Sequence, residues 1–318
     1  MPEAIAVAEK KGRNSVIDFF VRLVREKPLG AVGGFIVLLL LFVGIFADML
    51  APYGFNDIHP AESLQASSSK YVLGTDNIGR DVLSRVIYGA RISLIVGIGA
   101  TSISILVSTL LGIFSGFVGG KFDMLLQRFV DAWMCFPGII ILVVVVSLFK
   151  PGMGTVIVVL GFQYGIAGSR IVRSAVISIK QNVYVEAARA LGCSNTRMLL
   201  SHILPNIMAP IIILFSVRVP AVILAEASLS FLGLGIPPPQ PSWGGMLSGQ
   251  GRTYMIMAPW MAIWPGLALS VVVYGVNMFG DAVRDLLDPR LRGGLGRYGG
   301  RRTVRKAKTS EVSEKATI

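Results

Sequence analysis

The chain has 318 residues, 53% of them hydrophobic and only 15% charged, with a mean hydropathy of +0.68. Soluble domains carry roughly 25% charged residues, so this composition excludes an ordinary soluble domain and leads to an all-α, polytopic membrane protein. The formal charge of +12 would suit nucleic acid, but the basic residues gather in both tails and in alternate loops without interleaved aromatics, which excludes that partner.

About twenty apolar residues cross a bilayer as a helix. Six stretches qualify: approximately Gly30–Leu50, Ile92–Val118, Phe129–Phe149, Thr155–Val172, Asn206–Ala225 and Pro259–Ala282. Residues 1–29 form a polar N-terminal segment, 30–283 a six-helix transmembrane domain and 284–318 a basic tail whose composition predicts disorder. The first apolar run is too long for a cleaved signal peptide and follows almost thirty polar residues, so it reads as a retained helix. Gly112, Gly116 and Gly120 recur every fourth residue at the end of the second span, where close helix contact is expected.

With both termini placed in the cytoplasm, inner loops hold Lys121, Arg128, Arg170, Arg173, Lys180, Arg189 and Arg197. Outer segments keep only Lys70, Arg80, Arg85, Arg91, Lys150 and Arg252. That asymmetry sets the orientation. Acidic lipid at the inner face would attract the basic tail.

Two outer segments are long. Residues 51–91 carry Leu73-Gly74-Thr75-Asp76, then Arg80-Asp81-Val82-Leu83-Ser84-Arg85, read as a short helix lying flat at the interface. Residues 226–257 carry Gly233-Leu234-Gly235-Ile236-Pro237-Pro238-Pro239 and Pro241-Ser242-Trp243-Gly244-Gly245; Trp243, Tyr254, Trp260 and Trp264 suit an aromatic belt at headgroup level. These loops either shape the mouth of a pathway or cap the bundle.

Between the fourth and fifth spans, residues 173–204 contain Val185-Glu186-Ala187-Ala188-Arg189-Ala190-Leu191-Gly192, then His202-Ile203-Leu204-Pro205. This reads as a short helix, a glycine break and a second helix capped by Ser194 or Asn195, with Pro205 opening the next span. It is either an amphipathic connector or a docking surface.

No catalytic constellation is present. His59 and His202 are predicted on opposite sides, Cys135 and Cys193 lack metal-ligand spacing, and the chain holds neither a phosphate loop nor a nucleophile elbow. The deep ionisable residues are Asp131 and Arg218. A charge at mid-bilayer costs about 3 kcal/mol on insertion scales. Arg218 therefore faces protein or a watery cavity, where it either attracts an anionic group on the route or pairs with an acid such as Glu226 or a neighbouring subunit. Asp131, near the inner interface, reads as solvated or arginine-paired. The mixed charges of Asp281 to Arg290 read as helix-end chemistry or as a partner surface.

These blocks together resemble one family. Glu186-Ala187-Ala188 with Gly192 and Ile203-Leu204-Pro205 resembles the EAA loop of permease subunits of bacterial ABC importers. Leu73-Gly74-Thr75-Asp76, Gly79-Arg80-Asp81-Val82-Leu83-Ser84-Arg85, Glu226-Ala227-Ser228-Leu229-Ser230-Phe231-Leu232-Gly233, Pro241-Ser242-Trp243-Gly244 and Gly280-Asp281 with Asp288-Pro289-Arg290 are similar to the second permease of dipeptide, oligopeptide and nickel importers. The resemblance covers about residues 30 to 292. It implies the type I importer fold, a bacterial inner-membrane location, a heterodimer with a homologous permease, two cytoplasmic ATPase subunits and an extracytoplasmic solute-binding protein. ATP and Mg would bind the ATPase partners, with no cofactor on this non-catalytic chain. Glu186, Ala187, Ala188, Leu191 and Gly192 would couple to the ATPase. Arg218 and Pro220 depart from the small residues usual in the fifth span and favour a carboxylate-bearing solute. The competing readings are a stand-alone carrier or channel for a small anion and a non-catalytic scaffold.

Overall fold

The computed structural model describes residues 15–287. An amphipathic helix α1 (Ser15–Glu26) leads into the first span, α2 (Pro28–Ile45), and Pro28 opens that helix where its missing N–H costs nothing. The other full spans are α3 (Val82–Val118), α6 (Met153–Lys180), α8 (Met208–Phe231) and α9 (Trp260–Leu287). Among the described residues, five helices are thus long and apolar enough to cross a membrane, and a bent helix pair brings the number to six if it is counted as one broken span rather than a re-entrant loop.

That bent pair corrects the third span. Instead of one helix over Phe129–Phe149, α4 (Gly120–Met134) and α5 (Gly138–Ser147) meet at 87°. Pro137 supplies the break, since it has no N–H and drives the residue before it out of helical geometry. Charge decides where α4 lies. Asp123 accepts from Arg173 Nε of α6 at 2.7 Å and from Ser115 of α3, while Asp131 pairs with Arg170 and lies 3.8 Å from Arg128. The helix is thereby pinned to the end of α6, and Asp131 is an arginine-paired residue.

A second correction concerns residues 80–85. Asp81 caps α3, accepting from Ser84 N at 2.7 Å, and the helix runs without interruption to Val118. No glycine or proline turn breaks it, so no separate flat helix forms.

The most extensive contact joins α3 and α6. A Cβ on Gly112 would come within 2.6 Å of Val172 Cβ, and one on Gly165 within 2.6 Å of Val107 Cβ, so only glycine lets these backbones approach. Gly116 packs against Val176 in the same seam, whereas Gly120 faces open space. Ser108 Oγ donates to Gly165 O at 2.8 Å across it. The apolar core of α3, α6 and α8 holds Val96, Ala100, Val156, Leu160, Val222 and Leu229. On the other flank α2 lies against α9, with Gly33 beside the Gly275 carbonyl and Lys27 paired with Asp285.

The ends of the bundle differ. One, the loop end, carries residues 51–81 and 232–259. The other, the hairpin end, carries residues 181–207 between α6 and α8.

Candidate functional site

At the hairpin end, Val183–Ala190 forms a helix, α7, whose only buried residue is Val185. Glu186, Ala187, Leu191 and Gly192 are exposed and Ala188 is half-buried. The helix ends in a Schellman motif: Cys193 N donates to Ala188 O and Gly192 N to Arg189 O, both at 3.0 Å. The motif needs a left-handed residue, and Gly192 has φ +78. Ser194 then caps one helical turn, its Oγ accepting from Arg197 N at 3.4 Å.

Beyond that turn the chain is irregular. A π-helical turn, Met198–Ile203, passes into a 3-10 turn, Leu204–Ile207, containing Pro205, and α8 starts at Met208. Ile203 and Ile207 are buried against Val172 and Val176 of α6. The return segment is therefore held by apolar packing on α6 where it enters α8, and the exposed helix, seated through Val185, presents small residues, one carboxylate and Leu191 outward.

Arg218 lies half-buried in α8, its guanidinium carbon 5.3 Å from the Tyr164 ring centroid on α6. This cation–π contact offsets part of the desolvation that a cation suffers at such depth. Its Nε is buried without a hydrogen-bond partner among the described residues. Of the alternatives left open for Arg218, pairing with Glu226 does not form: Glu226 is fully buried and accepts from Ser230 Oγ at 2.7 Å. Eight residues place the two groups about 12 Å apart along the helix. A cleft of about 570 Å³ at the hairpin end, lined by Ile171, Asn206, Ile213 and Arg284, reaches Val217 beside Arg218.

At the loop end the residues of the family-like motifs build one knot. Gly74 (φ +79) lets the chain turn where a side chain would strike Gln65 O. Thr75 is buried, its Oγ1 donating to Glu62 O at 2.6 Å and its carbonyl accepting from Trp260 Nε1 at 3.0 Å. Asp76 accepts from Ile78 N, Arg80 N and Arg80 Nε, while Gly79 (φ +82) closes the turn. Trp243 is not a belt residue: it is 2% exposed, packs on Gly89 and donates from Nε1 to Val86 O at 3.0 Å. Trp260 is likewise tied into the knot through its indole N–H.

The family model for the binding-protein-dependent transport system inner membrane component matches residues 108–293. That for the N-terminal TM domain of oligopeptide transport permease C matches residues 18–66. The chain belongs to the ABC importer permeases of the DppC/OppC type. It is 37% identical over 268 residues, 84% of this chain and 88% of the relative, to the dipeptide transport system permease protein DppC of Alkalihalophilus pseudofirmus. It is 38% identical over 287 residues, 90% of this chain and 95% of the relative, to the glutathione transport system permease protein GsiD of Pectobacterium atrosepticum. Among solved structures, the inward-facing MetNI methionine ABC transporter matches with a TM-score of 0.53 at 16% identity, over 64% of this chain and 96% of that chain, a likeness of fold.

In this permease, sequence reasoning missed Tyr164, the neighbour of Arg218. A single tyrosine in an apolar span reads as core, so no signal marked it. The Asp123–Arg173 bridge did have one, in opposite charges at the ends of adjacent spans.

Proposed function

We propose that this permease forms, with a homologous permease, the membrane path of an ATP-driven importer for di- or oligopeptides or a related small solute. It couples to cytoplasmic ATPase subunits through α7, with both termini and the hairpin in the cytoplasm and the loop end facing an extracytoplasmic solute-binding protein. The relatives named for dipeptide and glutathione transport support the solute class. The observation that carries the coupling role is the exposed Glu186–Leu191 surface, on a helix seated by Val185 and followed by a return segment whose Ile203 and Ile207 pack on α6. Ala187 and Ala188 permit close approach, Glu186 offers a charge partner, and Gly192 holds the hairpin shape. Closure of an ATPase dimer against such a hairpin shifts α6 and α8 together, a two-state coupling. ATP and Mg belong to the ATPase partners, and this subunit performs no chemistry.

The test is peptide uptake by the assembled complex carrying Glu186→Lys or Gly192→Asp. Uptake is expected to fall while co-purification with the ATPase persists. Normal ATP-driven uptake in both variants would overturn the coupling role.

Arg218 is proposed to line the path and attract a carboxylate of the solute, as its unpartnered Nε supports. Arg218→Ala is expected to reduce uptake of a carboxylate-bearing solute more than it reduces assembly. Equal loss of both would assign it a structural role.

A further inference from the structure

The loop-end knot leaves a cavity of about 200 Å³. One wall holds Asp76, Asn77, Arg80 and Arg85; the other is the segment from Gly245 to Gly251. Arg85 is 8% exposed and fixed, its Nη1 donating to Phe55 O at 3.0 Å, with Nε 3.8 Å from Asp76 Oδ2. Arg80 uses Nε on Asp76 at 2.7 Å.

The acidic groups beside these arginines are already engaged. Asp76 accepts from the Ile78 and Arg80 amides and from Arg80 Nε. Asp81, the cap of α3, accepts from Ser84 N and Ser84 Oγ. Among the described residues, both terminal nitrogens of Arg80 and Nη2 of Arg85 therefore meet no acceptor. Asn77 Oδ1, on the same wall, is buried and meets no donor. The cavity thus presents surplus guanidinium donors beside one orphan amide acceptor.

We propose that this cavity binds the C-terminal carboxylate of a peptide, with Arg80 and Arg85 holding the two oxygens and Asn77 Oδ1 accepting the N–H of the same terminal residue. A paired guanidinium fork suits a planar carboxylate. The C-terminal residue of a peptide is a group that carries a carboxylate and an amide N–H a few bonds apart, which matches the two unmet needs. The carboxylate follows from the cavity alone; the choice of a peptide rests on the transport reading above.

The test uses the full transporter complex in nanodiscs, without a binding protein, titrated with N-terminally labelled trialanine as the free acid and as the C-terminal amide. The acid is expected to bind about tenfold or more tighter than the amide, as for loss of a charged hydrogen bond. Arg80→Gln and Asn77→Asp should both erase that preference. The second variant leaves the fold's own bonds untouched, because Asn77 Oδ1 has none, and sets a like charge against the ligand. Equal affinity for acid and amide, or an unchanged preference in both variants, would overturn the proposal. So would a finding that Arg80→Gln weakens only the docking of a peptide-free binding protein, which would assign the donors to an acidic side chain of that partner. ATP-driven uptake in the same variants keeps the two readings apart: intact uptake without acid preference removes the pocket assignment and leaves the transport function standing.

Discussion

Gly192→Ala isolates the backbone contribution to the proposed coupling hairpin. A Cβ at this position would meet nothing within 4 Å, so the substitution introduces no clash. What remains is the left-handed φ of +78, which costs an L-residue roughly 1–2 kcal/mol. That shifts the ratio of closed to frayed hairpin about 5- to 30-fold. The donors of the two cap bonds are Gly192 N and Cys193 N, and alanine at 192 should accelerate exchange of the amides at 192 and 193 by that factor. Asparagine tolerates the left-handed region better, so Gly192→Asn should lie between wild type and alanine. Hydrogen exchange of the 187–198 segment in the intact complex reads the hairpin, and peptide uptake reads its consequence. Exchange unchanged in the alanine variant, or equal acceleration in alanine and asparagine, would refute the reasoning from backbone geometry.

Other perturbations probe the supports. Gly112→Leu forces a side chain where a Cβ alone would sit 2.6 Å from Val172 Cβ; a loss of about 1–3 kcal/mol is expected from overpacking, seen as a lower Tm in detergent with the α3–α6 seam strained. Trp243→Phe deletes the indole N–H that reaches Val86 O at 3.0 Å and should cost about 1 kcal/mol, measured by thermal unfolding. The Glu62 carboxyl is held below its ordinary range, first by the Lys70 hydrogen bond and then by the Tyr71 hydroxyl. Because the folded value is depressed, this brace is fully present above the ordinary glutamate value and is lost as pH falls through the depressed one. Protection of the Tyr71 amide, corrected for intrinsic exchange, should vanish in that acid window and be weakened at every pH in Glu62→Gln.

Much of the architecture was legible because a bilayer makes hydrophobic length a direct signal. The second, fourth, fifth and sixth spans lie on the apolar runs that predicted them, and the Ala-rich hairpin with its glycine break stands where its polarity placed it. The third span misled because its apolar run continues through Pro137, while the charges of Asp123 and Asp131 bind α4 to a neighbour more than 35 residues away. Trp243 looked like a belt residue for a related reason. Its burial depends on the missing side chain of Gly89, which leaves room for the indole, and one sequence shows no link between positions so far apart. Arg218 was singled out by cost alone; its partner ring was not, since Tyr164 carries no charge to attract attention.

One helix reaches from the arginine-lined cavity to the opposite face. At 37 residues, α3 is about 55 Å long, well beyond the roughly 30 Å of bilayer hydrocarbon. Arg85 stands in its first turns and Ser115, bonded to Asp123, in its last. If α3 tilts as a unit, a displacement at its Arg85 end is carried to its Ser115 end, and the close glycine seam ties α6 to it. On the function proposed above, one continuous helix then joins the end that would meet the solute to the end that would meet the ATPase.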